Sequence, residues 1–140
     1  MSRLLALDYG SKRIGVALSD PTRTLAKPLP YLDATPFTKL AGKLKALIRE
    51  EEIDMIIVGL PRNMDGTYGP SAKAAMEFVA RLKEVILIPI LTVDERLSTV
   101  EASRRLHEAG RNAKEQKSKI DSASAQILLQ SILDSPRQLF

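Results

Sequence analysis

Hydrophobic positions along the chain recur first with the period of extended strands and then with that of helices. Two short apolar runs, Arg3 to Asp8 and Arg13 to Leu18, are joined by Tyr9, Gly10, Ser11 and Lys12, which predicts a β-hairpin with a glycine-containing turn. A third, weaker run near Leu25 to Leu32 carries Pro28 and Pro30, which cannot donate to a ladder, so it is expected at a sheet edge. Phe37, Leu40, Ala41, Leu44, Leu47 and Ile48 recur at helical spacing and predict an amphipathic helix, with Thr35 as its N-cap and Pro36 at its first position. Met55 to Val58 is a continuous apolar run ending at Gly59, the pattern of a strand buried on both faces.

Leu60 to Gly69 is longer than the usual strand-to-helix connection and contains Pro61, Asn63, Asp65-Gly66 and Gly69, and loops of that length often carry function. Pro70 then opens a helix through Ala74, Met76, Val79 and Leu82, and a further strand is expected over roughly Val85 to Val93. Ser98 and Glu101 have capping-box spacing at the head of another helix ending near Gly110. The last helix is expected from about Ser118 to Leu133, with Pro136 beyond its end. A meander followed by alternating helices and strands implies an α/β fold: a mixed five-stranded sheet flanked by helices, whose later strands are added parallel to the first through right-handed crossovers. A chain of 140 residues suits a single domain over 1–140. In such sheets sites gather at the carboxyl ends of the parallel strands, which brings Asp8, the Leu60 to Gly69 loop and Asp94-Glu95 to one edge.

Composition narrows the chemistry. With 44% hydrophobic and 27% charged residues the chain reads as an ordinary globular protein. Its first apolar stretch, Leu4 to Leu7, is broken by Asp8, Lys12 and Arg13, too short for a signal segment or a membrane span, so a cytoplasmic protein with no membrane partner is expected. There is no cysteine and one histidine, His107, which excludes disulfides and thiol chemistry and leaves any metal with oxygen ligands. The net charge of +4 is concentrated: Arg104, Arg105, Arg111, Lys114, Lys117 and Lys119 face only Glu108 and Glu115, so that window alone nets +4 and the remainder nets zero. Such a window is either a solvated helix end or an electrostatic footprint for a polyanion such as nucleic acid.

Three carboxylates are the candidate catalytic and metal-binding residues. Asp8 directly follows Leu4-Leu5-Ala6-Leu7, where an uncompensated charge is costly; the plainer alternative is a turn aspartate bonding a nearby amide. Asp121 falls in register with Ala125, Leu128 and Ile132, on the stripe expected to face the sheet, and a charge there normally has a partner or a metal. Glu95 is singled out by position alone, and a solvated residue before a helix is its alternative. Three such acids suit a hard cation, Mg²⁺ or Mn²⁺, held together with phosphate oxygens and water, in a two-metal phosphoryl-transfer site.

Four segments, Asp8-Tyr9-Gly10-Ser11-Lys12-Arg13-Ile14-Gly15, Val58 to Thr67, Asp94-Glu95-Arg96-Leu97-Ser98-Thr99 and Asp121-Ser122-Ala123-Ser124-Ala125, resemble the successive motifs of the bacterial YqgF family, also called RuvX-type Holliday junction resolvases. The resemblance spans nearly the whole chain. It implies a ribonuclease H-like nuclease fold, with metal-binding acids at Asp8, Glu95 and Asp121 and a cytoplasmic role in maturing the 5′ end of 16S ribosomal RNA. Junction resolution is the alternative role. Ser124 departs from the alanine expected there, and the basic stretch Arg111 to Lys119 resembles the family's mobile loop beside the active site. Lys12, Arg13, Asn63, Arg96, Arg111, Lys114, Lys117 and Lys119 are the expected nucleic-acid contacts.

Two readings of other classes compete. The Asp-x-Gly hairpin also opens actin-like ATPases, but those need two such domains and this chain offers one. A non-catalytic RNA-binding protein of the same fold would lack one of the acids, and none is missing. Three Phe, three Tyr and no Trp argue against a base-stacking platform. The partner is expected to be structured RNA, with ribosomal precursor particles behind it, or branched DNA, bound by a monomer or a homodimer; nothing in the sequence decides between RNA and DNA.

Overall fold

In the computed structural model the described residues are 2–60, 69–94 and 113–134, with the side chains of residue 94 and residues 113–122 excepted. The elements run β1 (Arg3–Asp8), β2 (Arg13–Ser19), β3 (Ala26–Asp33), α1 (Phe37–Glu50), β4 (Ile53–Leu60), α2 (Pro70–Val85), β5 (Ile90–Asp94) and α3 (Ala113–Asp134). The five strands form one mixed sheet in the order β3-β2-β1-β4-β5. β2 is antiparallel to both β1 and β3, while β4 is parallel to both β1 and β5. The meander and the parallel additions thus follow the expected pattern, and the proline-bearing β3 lies at an edge, where a missing N–H leaves no interior ladder broken.

Side-chain alternation divides the core into two layers. Leu5 and Leu7 of β1, Ile14, Val16 and Leu18 of β2, and Ile56 and Val58 of β4 pack with Leu40 and Leu44 of α1 and Phe78, Val79 and Leu82 of α2. On the opposite face Leu4, Ala6, Ala17, Ala26 and Ile57 pack with Ala125, Leu128, Leu129 and Ile132 of α3. Each fully buried Leu or Ile in these layers contributes about 1.5–3 kcal/mol relative to exposure. The small residues of the second layer let α3 approach the sheet closely. Ser19, buried where β2 ends, accepts the Leu4 N–H at 2.8 Å and donates to the Asp20 carbonyl, so its burial leaves no polar atom idle.

α3 also completes the edge strand. Gln130 Oε1 accepts the Ala26 N–H at 2.9 Å and its Nε2 donates to the Thr24 carbonyl at 2.9 Å, while Gln126 Nε2 donates to the Ala26 carbonyl at 3.2 Å. These contacts fix the helix direction: later residues of α3 lie at the edge where β3 begins and β2 ends, beside Leu4, so earlier residues lie toward Asp8.

Three boundaries differ from expectation. α1 begins at Phe37 with Pro36 itself at the cap, in an extended conformation (φ −72, ψ 148), and no side chain caps the helix, so Thr35 does not serve as N-cap. The stripe Ala72, Ala75, Phe78, Val79 and Leu82 carries α2 through Val85, and β5 starts only at Ile90 because Pro89 cannot donate to a ladder. α3 starts at Ala113, earlier than Ser118, since Ala113, Lys114, Glu115, Gln116 and Lys117 are good helix formers with no Gly or Pro among them. Lys114, Lys117 and Lys119 are therefore helical residues and not part of a loop. The expected helix from Ser98 to Gly110 and the loop 61–68 lie outside the described residues. No described helix is long and apolar enough to cross a membrane.

Candidate active-site edge

Asp8 ends the central strand. Alternation from Leu4 and Ala6, which pack against α3, puts Asp8 on that same face, half-buried after four fully covered residues. Its neighbours are unusual for the middle of a sheet. Across the antiparallel ladder it pairs with Gly15, and across the parallel ladder with Gly59. Neither adjacent strand therefore carries a side chain at the level of the Asp8 carboxylate. The donor chemistry, a carboxylate in place of nitrogen or sulfur ligands, fits a hard divalent ion.

The turn after Asp8 is held from both sides. Tyr9 points to the opposite face, where its ring lies 4.8 Å from that of Phe78 in α2; Phe78 in turn meets Phe37 edge-on, and Arg81 caps the Phe37 ring at 4.0 Å. Gly10 is required by packing. A Cβ there would meet the Arg13 carbonyl oxygen at 2.5 Å, and that oxygen is backbone and cannot swing aside.

The other carboxylates approach this edge through the backbone. Leu60 of β4 pairs with Asp94, the last residue of β5, so the ends of β1, β4 and β5 are level with one another. Glu95 follows immediately and lies outside the described residues. Asp121 is a residue of α3 four positions before the fully buried Ala125. At 1.5 Å per residue it lies about 13 Å along the axis from Gln130, close to the about 13 Å that separates Leu4 from Asp8 along β1. The helix thus carries residue 121 toward the level of Asp8, and its side chain is not among those described. Among the described residues no group of three or more acids or histidines forms a metal cluster.

Of the expected nucleic-acid contacts, Lys12 is exposed in the β1–β2 turn and Arg13 is half-buried at the start of β2. Arg13 Nη1 donates to the Tyr31 hydroxyl at 2.6 Å, and its Cζ lies 4.7 Å from the Tyr31 ring centroid. Lys114, Lys117 and Lys119 lie in the first two turns of α3. Asn63, Arg96 and Arg111 lie outside the described residues. Gly15 and Gly59 stand in the family-like segments, but only strand register puts them on either side of Asp8, and the contact of Tyr31 with Arg13 likewise follows from register and not from any local pattern.

Comparison with known proteins agrees with this architecture. The family model described as RuvX, Holliday junction resolvase, matches residues 2–135. A Roseiflexus protein named "Putative pre-16S rRNA nuclease" is 44% identical over 135 residues, covering 96% of each chain. A Thermoanaerobacter pseudethanolicus protein of the same name is 46% identical over 136 residues, covering 96% of this chain and 98% of its own. Among solved structures, Thermus thermophilus RuvC in complex with a Holliday junction substrate superposes with a TM-score of 0.56 at 9% identity, covering 96% of this chain and 98% of that one. A fowlpox virus resolvase gives a TM-score of 0.55 at 12% identity, covering 96% and 98%. Those likenesses show the resolvase-type ribonuclease H-like fold. With a family match over nearly its whole length and relatives above 40% identity, the chain belongs to the RuvX family of nucleases.

Proposed function

We propose that this protein is a divalent-metal-dependent nuclease that hydrolyses phosphodiester bonds and processes the 5′ end of the 16S rRNA precursor in the cytoplasm. The observation that carries the reading is Asp8, a carboxylate at the end of the central strand between two glycines, in a chain of this family. Asp8, Glu95 and Asp121 would hold Mg²⁺ or Mn²⁺, which supplies an activated water and stabilises the leaving oxygen of an in-line displacement. The protein's own groups then orient the substrate. Lys12, Arg13, Asn63, Arg96, Arg111, Lys114, Lys117 and Lys119 engage phosphates, placing the scissile bond over Gly15 and Gly59. Phosphate contacts of this kind position a strand without reading its sequence, so selection of the 16S precursor rests on shape and on the ribosomal precursor particle that presents it.

A second reading, cleavage of four-way DNA junctions, is favoured by the description of the family model and by the RuvC fold. It requires two active sites on one substrate and hence a homodimer, whereas trimming of rRNA proceeds with a monomer. Purified protein incubated with Mg²⁺ or Mn²⁺ beside a 16S precursor fragment, unrelated linear RNA, duplex DNA and a four-way junction separates the two readings by initial rate. The precursor is expected to be cut fastest. Faster cleavage of the junction overturns the assignment of substrate, and no cleavage of any of them overturns the nuclease itself.

A further inference from the structure

Arg13 and Tyr31 sit on neighbouring strands at the candidate site's edge of the sheet. Arg13 pairs with Asp33, and the β2–β3 ladder changes register between Ile14 and Val16, so Tyr31, two residues before Asp33, shares the face of Arg13. Because Gly15 is opposite Asp8, Arg13 is the diagonal neighbour of Asp8 on the α3 face, with their backbones about 7–8 Å apart.

The guanidinium is held by a neutral partner. The Tyr31 hydroxyl accepts one of its five N–H donors, and the guanidinium carbon lies over the Tyr31 ring, 4.7 Å from its centroid. The ion pairs among the described residues are Arg3 with Glu51 and Arg23 with Asp54, and neither involves Asp33, the cross-strand partner of Arg13. A long cationic side chain is thus oriented by a neutral partner, an arrangement that suits an anion supplied from outside.

We infer that Arg13 grips a substrate phosphate neighbouring the one over Asp8, and that Tyr31 is the positioning residue that holds the guanidinium for it. The inference rests on the nuclease reading above for the identity of the substrate, and it adds a specific device for seating the strand. A purely structural Tyr31, pinning β3 to β2, is the alternative.

The two differ in a double-mutant cycle read by binding. Affinity of the full chain for a single-stranded 16S precursor fragment, titrated over a salt series in chelator, is compared for wild type, Arg13→Ala, Tyr31→Phe, Tyr31→Ala and Arg13→Ala with Tyr31→Ala. Arg13→Ala should lower the slope of log affinity against log salt by about 0.7, one phosphate contact. Tyr31→Ala should weaken binding about five- to tenfold, Tyr31→Phe should keep most of the affinity by keeping the ring, and Tyr31→Ala should weaken binding no further once Arg13 is Ala. Where cleavage is followed, KM should rise and kcat should hold. An unchanged salt slope in Arg13→Ala overturns the phosphate contact. Equal weakening by Tyr31→Ala with and without Arg13 overturns the clamp; should the alanine variant fold poorly, the same cycle is run with Tyr31→Leu, which keeps apolar bulk while removing both the ring and the hydroxyl. Chelator removes cleavage from the measurement, so a protein that passes this test and cuts nothing would refute the nuclease reading alone.

Discussion

Asp8 pairs with Gly15 across the first ladder, so the half-buried carboxylate that follows four buried residues has no side chain opposite it on β2. A side chain in place of the glycine would bring its Cβ to about 4.5–5.5 Å from that of Asp8, close enough to crowd the carboxylate. Gly59 repeats the arrangement on the other flank.

Asp8→Asn keeps the shape of the residue and removes its charge, so it separates metal holding from fold holding. Cleavage should fall by at least two orders of magnitude, while the thermal midpoint shifts little, because the metal's stabilisation of transition-state charge is worth several kcal/mol. Retention of more than about a tenth of the wild-type rate, a loss under roughly 1.4 kcal/mol, would refute the role assigned to this carboxylate.

Gly10→Ala should destabilise the β1–β2 turn by about 1–3 kcal/mol, the usual cost of forcing a methyl into occupied space. The added atom meets the Arg13 carbonyl at 2.5 Å, so the turn must open and carry Arg13 with it. Denaturant unfolding measures the first effect and RNA affinity the second. A variant as stable as wild type would show that the turn relaxes freely.

The hairpin, the edge position of the Pro28–Pro30 strand, the Pro70 start of α2, the body of α1 and the buried β4 are readable because each rests on a local pattern of period or punctuation. The place of Asp8 at the end of β1 is readable for the same reason, a charge at the end of an apolar run. The level of Gly15 and Gly59 beside it is not, since register belongs to pairs of strands and a single strand's sequence is silent on it. The start of β5 was misplaced because Val85 and Ile86 suit a strand as well as they suit the stripe of α2, and only packing against the sheet decides. The family resemblance implies a loop for Arg111 to Lys119, whereas the helix propensity of Ala113 to Lys117 carries α3 back to Ala113.

Gln130→Leu removes the acceptor for the Ala26 N–H and the donor to the Thr24 carbonyl together. Ala26 is buried, so its amide has no easy access to water, and the expected cost is about 1–3 kcal/mol for the group left unsatisfied. Hydrogen exchange at Ala26 should accelerate more than the global loss of stability accounts for. Unchanged exchange there would mean that α3 does not secure the edge strand.

Asp20 sets the acid limit of the β2–β3 turn. The Thr22 hydroxyl, then the backbone N–H groups of Leu25 and Thr24, donate to its carboxylate and hold it well below the ordinary aspartate range. A group whose folded value is depressed adds stability above its unfolded value, near 3.9, and loses it as pH falls from there toward the folded one. The stability difference between wild type and Asp20→Asn should therefore be constant above about pH 5 and shrink below about pH 4. A difference that does not change over that range would remove the carboxylate's charge from the account.

The basic head of α3 offers a test in which stability and binding move in opposite directions. Lys114 lies in the first turn of the helix, with Lys117 and Lys119 close behind, and cations at a helix N-terminus oppose the macrodipole by about 0.3–1 kcal/mol, an effect confined to that first turn. Alanine is the best helix former, so replacing Lys114, Lys117 and Lys119 together with Arg111 should leave the fold unchanged or slightly stabilised. If these cations serve only solubility, nothing else should change. If they meet phosphates, the same variant loses up to four counterion-releasing contacts, and the slope of log affinity against log salt should fall by about 2 to 3.5 across single-stranded and duplex substrates. The weakening should be similar for all sequences, because phosphate contacts carry no base information. A variant with equal or higher thermal midpoint and a flattened salt dependence assigns the segment to nucleic acid, while an unchanged slope reduces it to a solvated helix end whose charge works against its own helix.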